Sequence, residues 1–294
     1  MTLNSKSWIL IFVIAVLIAG AVSFLILISL GAFLPDRRTL AFGEKVGVIE
    51  IEGTMITGTP AVEDIRQFAK DDGIRAIVLR IESPGGVVAA AQEIYDELIK
   101  VRNRGKPIVA SMGGIAASGG YYVACGADSI MANPGTLTGS IGVIMRLPNA
   151  EELLKKIGLR YEVIKTGKYK DTGSLSRPMT PDERALLQEM LDDVHDQFVT
   201  VVSVERNIDK DEVMAFADGR VMSGRQALEM GLVDRLGGFR DAVLLAADLA
   251  GIDGEPVVVR PRRKAISLWD LIEDIFGVAS RLGGQGASLE YSFN

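Results

Sequence analysis

Ser118 is the residue of this chain best placed to do chemistry. It stands within 112–126, Met-Gly-Gly-Ile-Ala-Ala-Ser-Gly-Gly-Tyr-Tyr-Val-Ala-Cys-Gly. An apolar run over 107–111 leads into that stretch as a predicted strand, and a predicted helix leads out of it. Gly113, Gly114, Ala116, Ala117, Gly119 and Gly120 around the join are all small. Small residues let backbone approach backbone or ligand, and glycine permits a sharp turn from strand to helix. A serine at such a join presents its hydroxyl beside the unpaired N–H groups that open a helix. The chemistry this suits is nucleophilic attack on an acyl carbon.

A serine hydroxyl is a weak nucleophile until a base removes its proton. The chain has one histidine, His195, in Asp193-Val194-His195-Asp196. It falls inside a long predicted helix and reads as an exposed helical position, which leaves a Ser–His–Asp arrangement without support. A lysine can replace histidine if burial brings its pKa from about 10.4 down to about 7–8. Lys165, Lys168 and Lys170 lie close together in a segment without periodicity, and spacing alone does not choose among them. Acyl transfer also needs N–H donors for the developing oxyanion, each worth about 3–4 kcal/mol. The Gly119 N–H, next to the nucleophile, is one candidate. The Gly86 N–H, after Ser83-Pro84-Gly85, is the other.

The elements that must position these groups alternate. Strands are predicted over 45–51, 74–81, 107–111 and 129–132, rich in β-branched residues. Helices are predicted over 61–69 and 87–104, the latter from the helical spacing of Ala91, Ile94, Tyr95, Leu98 and Ile99. Ser83-Pro84-Gly85-Gly86 reads as a turn. This order indicates βαβ units and a mostly parallel sheet. Sites in such sheets lie at the carboxyl ends of strands, so the 83–86 and 113–118 segments face one edge. Further on, 133–144 is turn-rich and then extended, 151–157 is a short helix and 160–165 a strand. Thr180-Pro181-Asp182-Glu183 is a helix start, with a capping threonine, proline at the first position and acids after it. That helix is predicted to reach about Val204. Helices over 209–217, 223–230 and 240–250 and an edge strand over 257–259 complete the domain.

Both ends differ from this middle. The chain has 294 residues, 48% hydrophobic and 24% charged, with a net charge of −6. No charged residue occurs over 8–34, a run longer than the about 20 residues that cross a bilayer and longer than a signal-peptide core. It is read as an uncleaved anchor, and the flanking charges do not set its orientation. Arg260, Arg262, Arg263 and Lys264 form a basic cluster. An amphipathic helix follows over 265–282, suited to a membrane surface or a neighbouring subunit. The apolar residues over 289–293 would suit either an autoinhibitor in the substrate groove or a loose tail. The expected domains are thus a flank at 1–7, an anchor at 8–34, a linker at 35–44, a catalytic domain at 45–260 and an extension at 261–294. No basic stripe suggests nucleic acid. The single cysteine, Cys125, allows no internal disulfide. No metal cluster or phosphate loop is visible, so no metal, cofactor or ATP is expected.

Four ordered motifs carry a resemblance: Ser83-Pro84-Gly85-Gly86, 114–122 around Ser118, Thr138-Gly139-Ser140-Ile141-Gly142 and Gly167-Lys168-Tyr169-Lys170. Over about 45–252 the chain resembles the short form of the signal peptide peptidase A family, membrane-anchored serine proteases of bacteria and archaea. The resemblance implies an α/β, ClpP/crotonase-like parallel sheet with flanking helices behind one transmembrane helix. It implies a Ser–Lys dyad of Ser118 and Lys170, with Gly86 and Gly119 as the oxyanion hole and Ser140 positioning the base. Asp171-Thr172-Gly173 departs from the Ser-Ala pair of the longer bacterial forms. A carboxylate beside the base would raise its pKa. The resemblance further implies signal-peptide substrates, a homo-oligomeric ring with the dyad shared between subunits, and a catalytic domain outside the cytoplasm. Three alternatives stay open: an archaeal protease that cleaves stomatin-like partners, an acyl-CoA enzyme of crotonase type, and an inactive assembly scaffold.

Overall fold

A computed structural model describes residues 43–261 and 290–292, together with Gly20 and Ser23. Apart from those two, the expected anchor over 8–34 lies outside the described residues, as do its flank at 1–7, the start of the linker and the amphipathic segment over 265–282. Among the described residues no helix is long and apolar enough to cross a membrane. The chain divides into two units, Met1–Gly43 and Glu44–Asn294, and every element with described bounds belongs to the second.

The centre of that unit is a sheet whose inner strands are apolar on both faces, as parallel strands covered on both sides must be. β1 (Lys45–Glu52), β2 (Ile74–Ser83) and β4 (Ile108–Ala117) pair in parallel, β1 with β2 and β2 with β4. Alternate residues face opposite ways. Val46, Val48, Ala76, Val78 and Val109 enter a core with Ala242, Val243, Ala246 and Ala247 of one helix, Phe239–Leu249. Ile49, Ile51, Ile77, Leu79, Ile81 and Ala110 enter the larger core on the other face. That core is filled from α1 (Thr59–Lys70), α2 (Val88–Arg102), α3 (Gly119–Ala124) and α5 (Pro181–Arg206). α4 is the exposed short helix Glu151–Lys156.

Along the sheet the order is β7-β6-β4-β2-β1-β9, where β6 is Leu137–Gly139, β7 is Val221–Ser223 and β9 is Val257–Val259. Only β6 and β7 are antiparallel. β4 carries two neighbours on the same side. Val109 to Ser111 pair with β5 (Ser129–Ala132), which in turn pairs with β8 (Arg235–Leu236), and Ile115 to Ala117 pair with β6. The sheet therefore forks at β4, and Ser118 follows the branch that leads to β6.

The predicted elements recur with three differences. Ser83 to Val87 is not a turn. β2 runs through Ser83, and Gly85–Val87 forms a short strand, β3. The 107–111 strand extends to Ala117, because its glycines are held extended by Glu82. The strand expected over 160–165 is absent: that segment has no regular structure and its residues are exposed. β10 (Glu290–Ser292) lies antiparallel on β3, with Tyr291 opposite Gly86.

Candidate active site

Ser118 sits between β4 and α3 with φ 54° and ψ −118°. For a residue with a Cβ this left-handed backbone costs about 1–3 kcal/mol, and such strain survives only where the surroundings enforce it. The enforcing contacts are specific. The Ser118 N–H donates to the Gly139 carbonyl at 2.7 Å, and the Thr138 hydroxyl donates to the Ala116 carbonyl at 2.7 Å. One strand earlier, the Glu82 carboxylate accepts the N–H groups of Gly114 (2.9 Å) and Ile115 (3.1 Å). Arg80 adds bonds to the Ser111 hydroxyl (3.1 Å) and the Met112 carbonyl (3.2 Å). The final turns of β4 are thus tied on both sides, and the strain falls at Ser118.

The Ser118 side chain is fully buried, and its Oγ has no hydrogen-bond partner among the described residues. An orphaned buried hydroxyl is costly and asks for an explanation. Next to it, the Gly119 N–H opens α3 and has no intrahelical acceptor. α3 is locked behind the serine by the Tyr121 hydroxyl, which donates to the Leu232 carbonyl at 2.9 Å, and by edge contacts of Tyr122 with Tyr95 and Phe198. Cys125, at the end of the same helix, is buried and its thiol is pushed up to about 12 by desolvation. It stays protonated and is no rival nucleophile.

The second wall is β3. Met55 donates to the Gly85 carbonyl (2.8 Å) and accepts from the Val87 N–H (2.7 Å), so the Gly86 N–H points away from Met55, toward the edge where β10 pairs. Gly86 has φ +156°, and a Cβ there would lie 2.1 Å from the Met55 carbonyl oxygen. No other residue fits. Ser83 braces the strand, its hydroxyl donating to the Gly53 carbonyl at 2.6 Å and accepting from the Gly85 N–H at 3.1 Å. The end of β2, where it leads into β3, lies directly on α3: a Cβ at Gly120 would stand 2.8 Å from the Ser83 carbonyl oxygen. The two glycine segments singled out in the sequence therefore meet.

Ser140 also joins the group. It is buried, has φ 52°, and its N–H donates to the Arg220 carbonyl at 2.8 Å. Because Gly139 accepts from Ser118, two serines with left-handed backbone flank one short strand end.

Lys170 is not brought to Ser118 by a hydrogen bond within one chain, since the Ser118 Oγ has no partner. Lys170 is exposed in a turn, its N–H donating to the Gly167 carbonyl at 3.3 Å. The other two lysines are engaged. Lys165 bonds the Lys168 carbonyl (3.0 Å) and pairs with Asp171, and Lys168 pairs with Asp182. Of the three candidates, Lys170 alone has no ion pair among the described residues. His195 is half-buried rather than exposed, with Nε2 enclosed and unpaired. It belongs to α5, whose neighbours Val194, Phe198 and Val199 pack in the core, and among the described residues it makes no hydrogen bond to the Ser118 Oγ.

Sequence reasoning missed Glu82, and it missed Arg177 together with the pairing through which Arg177 joins Asp171 to Glu183. The Arg177 guanidinium donates to both carboxylates, which are held low: Asp171 below the ordinary carboxylate range and Glu183 at about 2. The capping threonine and Glu183 were visible as a helix start, but not the second use of Glu183 as an ion-pair partner. Among the described residues no group of side chains is arranged to hold a metal ion.

Comparison with known proteins places these features in a family. The family model for peptidase family S49 matches residues 100–253, and that for Clp protease matches 57–136, which contains both glycine segments. A putative protease of Synechocystis is 44% identical over 84% of this chain and 86% of its own. The chloroplastic serine protease SPPA of Arabidopsis thaliana is 34% identical over 83% of this chain, and a putative signal peptide peptidase of Enterococcus faecium is 38% identical over 61%. The chain spans 35% of the length of the plant relative and 52% of the Enterococcus one. With a match over more than half of its residues and a near full-length relative, this chain belongs to peptidase family S49 and is a serine protease on a mixed α/β fold of Clp-protease type.

Proposed function

We propose that Ser118 and Lys170 form the catalytic dyad of an anchored endopeptidase for extended, apolar peptides such as spent signal peptides. The observation that carries this reading is the state of Ser118: buried, strained and unpaired, beside the free N–H that opens α3. In the reaction, neutral Lys170 takes the Ser118 proton as Oγ attacks a peptide carbonyl. The Gly86 and Gly119 N–H groups receive the oxyanion, with Ser140 orienting the lysine. Collapse of the tetrahedral intermediate breaks the C–N bond, and the Lys170 ammonium protonates the leaving amine. Water, deprotonated by Lys170, then resolves the acyl-enzyme and returns Ser118 to its hydroxyl form.

Two features support the rest of the reading. β10 lies on β3, which makes β3 an edge able to take an extended strand through main-chain bonds. A substrate peptide on that edge would put a carbonyl at the Gly86 N–H. Among the described residues the Ser118 hydroxyl has no hydrogen-bond partner and the Lys170 ammonium no ion pair, and exposed apolar residues (Leu159, Tyr161, Val163, Ile164) precede Lys170. A second copy covering that apolar stretch and bringing Lys170 to Ser118 accounts for both, in a homo-oligomer with shared dyads. The uncharged run over 8–34 supports a single-pass anchor, with the catalytic domain on the extracytoplasmic side where signal peptides are released.

The test uses cleavage of casein and of an apolar peptide. Ser118→Ala and Lys170→Ala are each expected to be inactive, and an equimolar mixture of the two to regain part of the activity. A mixture that stays inactive refutes the shared dyad. Wild-type activity in either single variant refutes the dyad itself.

A further inference from the structure

The turn that carries Lys170 is anchored by one side chain. Arg177 donates from Nε to the Asp171 carboxylate (3.0 Å) and from Nη2 to the Asp171 main-chain carbonyl (3.3 Å). From Nη1 it donates to the Glu183 carboxylate (2.9 Å) and to the Pro178 carbonyl (3.0 Å), and Nη2 pairs with the other Glu183 oxygen. Such a planar fork holds two carboxylates in fixed relation, which an ammonium cannot do. Glu183 is itself rooted: it is 2% exposed and accepts the Thr180 N–H at 2.8 Å in the capping box that starts α5. A rigid helix end thus reaches through Arg177 to the residue directly after Lys170.

The same fork answers the question raised by the acidic residue beside the base. Asp171 is occupied by Arg177 and Lys165, and neither oxygen pairs with Lys170 among the described residues. Lys168 is held by Asp182, and Arg184 lines, with Arg177, Leu147 and Gly173, a cavity of about 260 Å³ behind the turn.

We infer that Arg177 is the positioning residue of the general base: it fixes the Lys170 turn to the start of α5 and withdraws the Asp171 carboxylate from the Lys170 ammonium. This rests on Lys170 being the base. Without Arg177, Asp171 would keep only Lys165, on Oδ1, and its Oδ2 would be left without its partner in the residue next to Lys170. An added carboxylate favours the protonated amine, so the base would titrate higher.

The experiment compares pH profiles of kcat/KM for the wild-type chain, Arg177→Met, the Arg177→Met/Asp171→Asn double variant and Arg177→Lys, all confirmed folded by circular dichroism. Arg177→Met is expected to move the acidic limb up by about one pH unit, and the added Asp171→Asn change to move it back. Arg177→Lys keeps the charge but loses the fork, so its limb is expected near that of the wild type while kcat falls severalfold at unchanged KM. An unmoved limb in folded Arg177→Met overturns the proposal. If Arg177→Met does not fold, full kcat in Arg177→Lys overturns it instead. Lys170→Ala, run alongside, separates the two levels: an active Lys170→Ala defeats the dyad, whereas an inactive one with an unmoved Arg177→Met limb defeats only the role of Arg177.

Discussion

Replacing Ser118 by alanine is expected to abolish cleavage while making the domain more stable. The hydroxyl removed is fully buried and has no partner among the described residues. A buried polar group left unsatisfied costs about 1–3 kcal/mol, which alanine recovers. The void left by one oxygen takes back about 0.5 kcal/mol, for roughly 20 Å³ at about 24 cal/mol per Å³. The left-handed backbone is unchanged, because alanine also carries a Cβ. The net gain is therefore about 0.5–2.5 kcal/mol, or a Tm raised by roughly 1–10 °C for a domain of this size. Catalysis falls by about 10⁶-fold if Ser118 is the nucleophile. Thermal unfolding of the chain at low concentration, where copies are apart, measures the first effect. Peptide hydrolysis at assembly-competent concentration measures the second. Ser118 as an ordinary core serine predicts the reverse pattern, a lower Tm with activity retained, and that result would refute the assignment.

Gly86→Ala places a methyl against the Met55 carbonyl, so β3 must shift; kcat is expected to fall by about 10²–10³-fold, the cost of one oxyanion donor, and unchanged kcat would remove Gly86 from the hole. Deleting 287–294 frees the β3 edge from β10, and peptide cleavage at low substrate should rise; equal rates with and without the tail would mean that β10 does not compete with substrate. Glu183, held at about 2 by Arg177 and by the Thr180 N–H, has a folded pKa below its unfolded value of about 4.3. Its contribution to stability is complete above the unfolded value and lost as pH falls toward 2. Acid unfolding followed by circular dichroism should accordingly be less pH-dependent between about pH 4.5 and 2 in Glu183→Gln, and an identical acid transition would contradict this.

The sequence by itself determined the layered sheet and the two glycine segments. Those are local or periodic properties: β-branched runs flanked by helical spacing, and small residues wherever chain must pass close to chain. It also narrowed the base to three lysines, since a single histidine among acids in a helix left little else. Tertiary structure decided what depends on distant residues. Ser83 to Val87 became strand instead of turn because Met55 bonds both sides of Gly86. Gly113 and Gly114 stayed extended because Glu82, from the neighbouring strand, takes the N–H groups of Gly114 and Ile115. The segment over 160–165 has a strand's composition but no partner among the described residues, and β structure exists only by pairing. Lys165 and Lys168 were separated from Lys170 by their carboxylates, which no spacing rule shows. Ser118 keeps the strain and the unpaired hydroxyl because Gly139, Glu82 and α3 hold everything around it. Sequence names the small residues at that join; only the fold explains why a serine stands among them with nothing to bond.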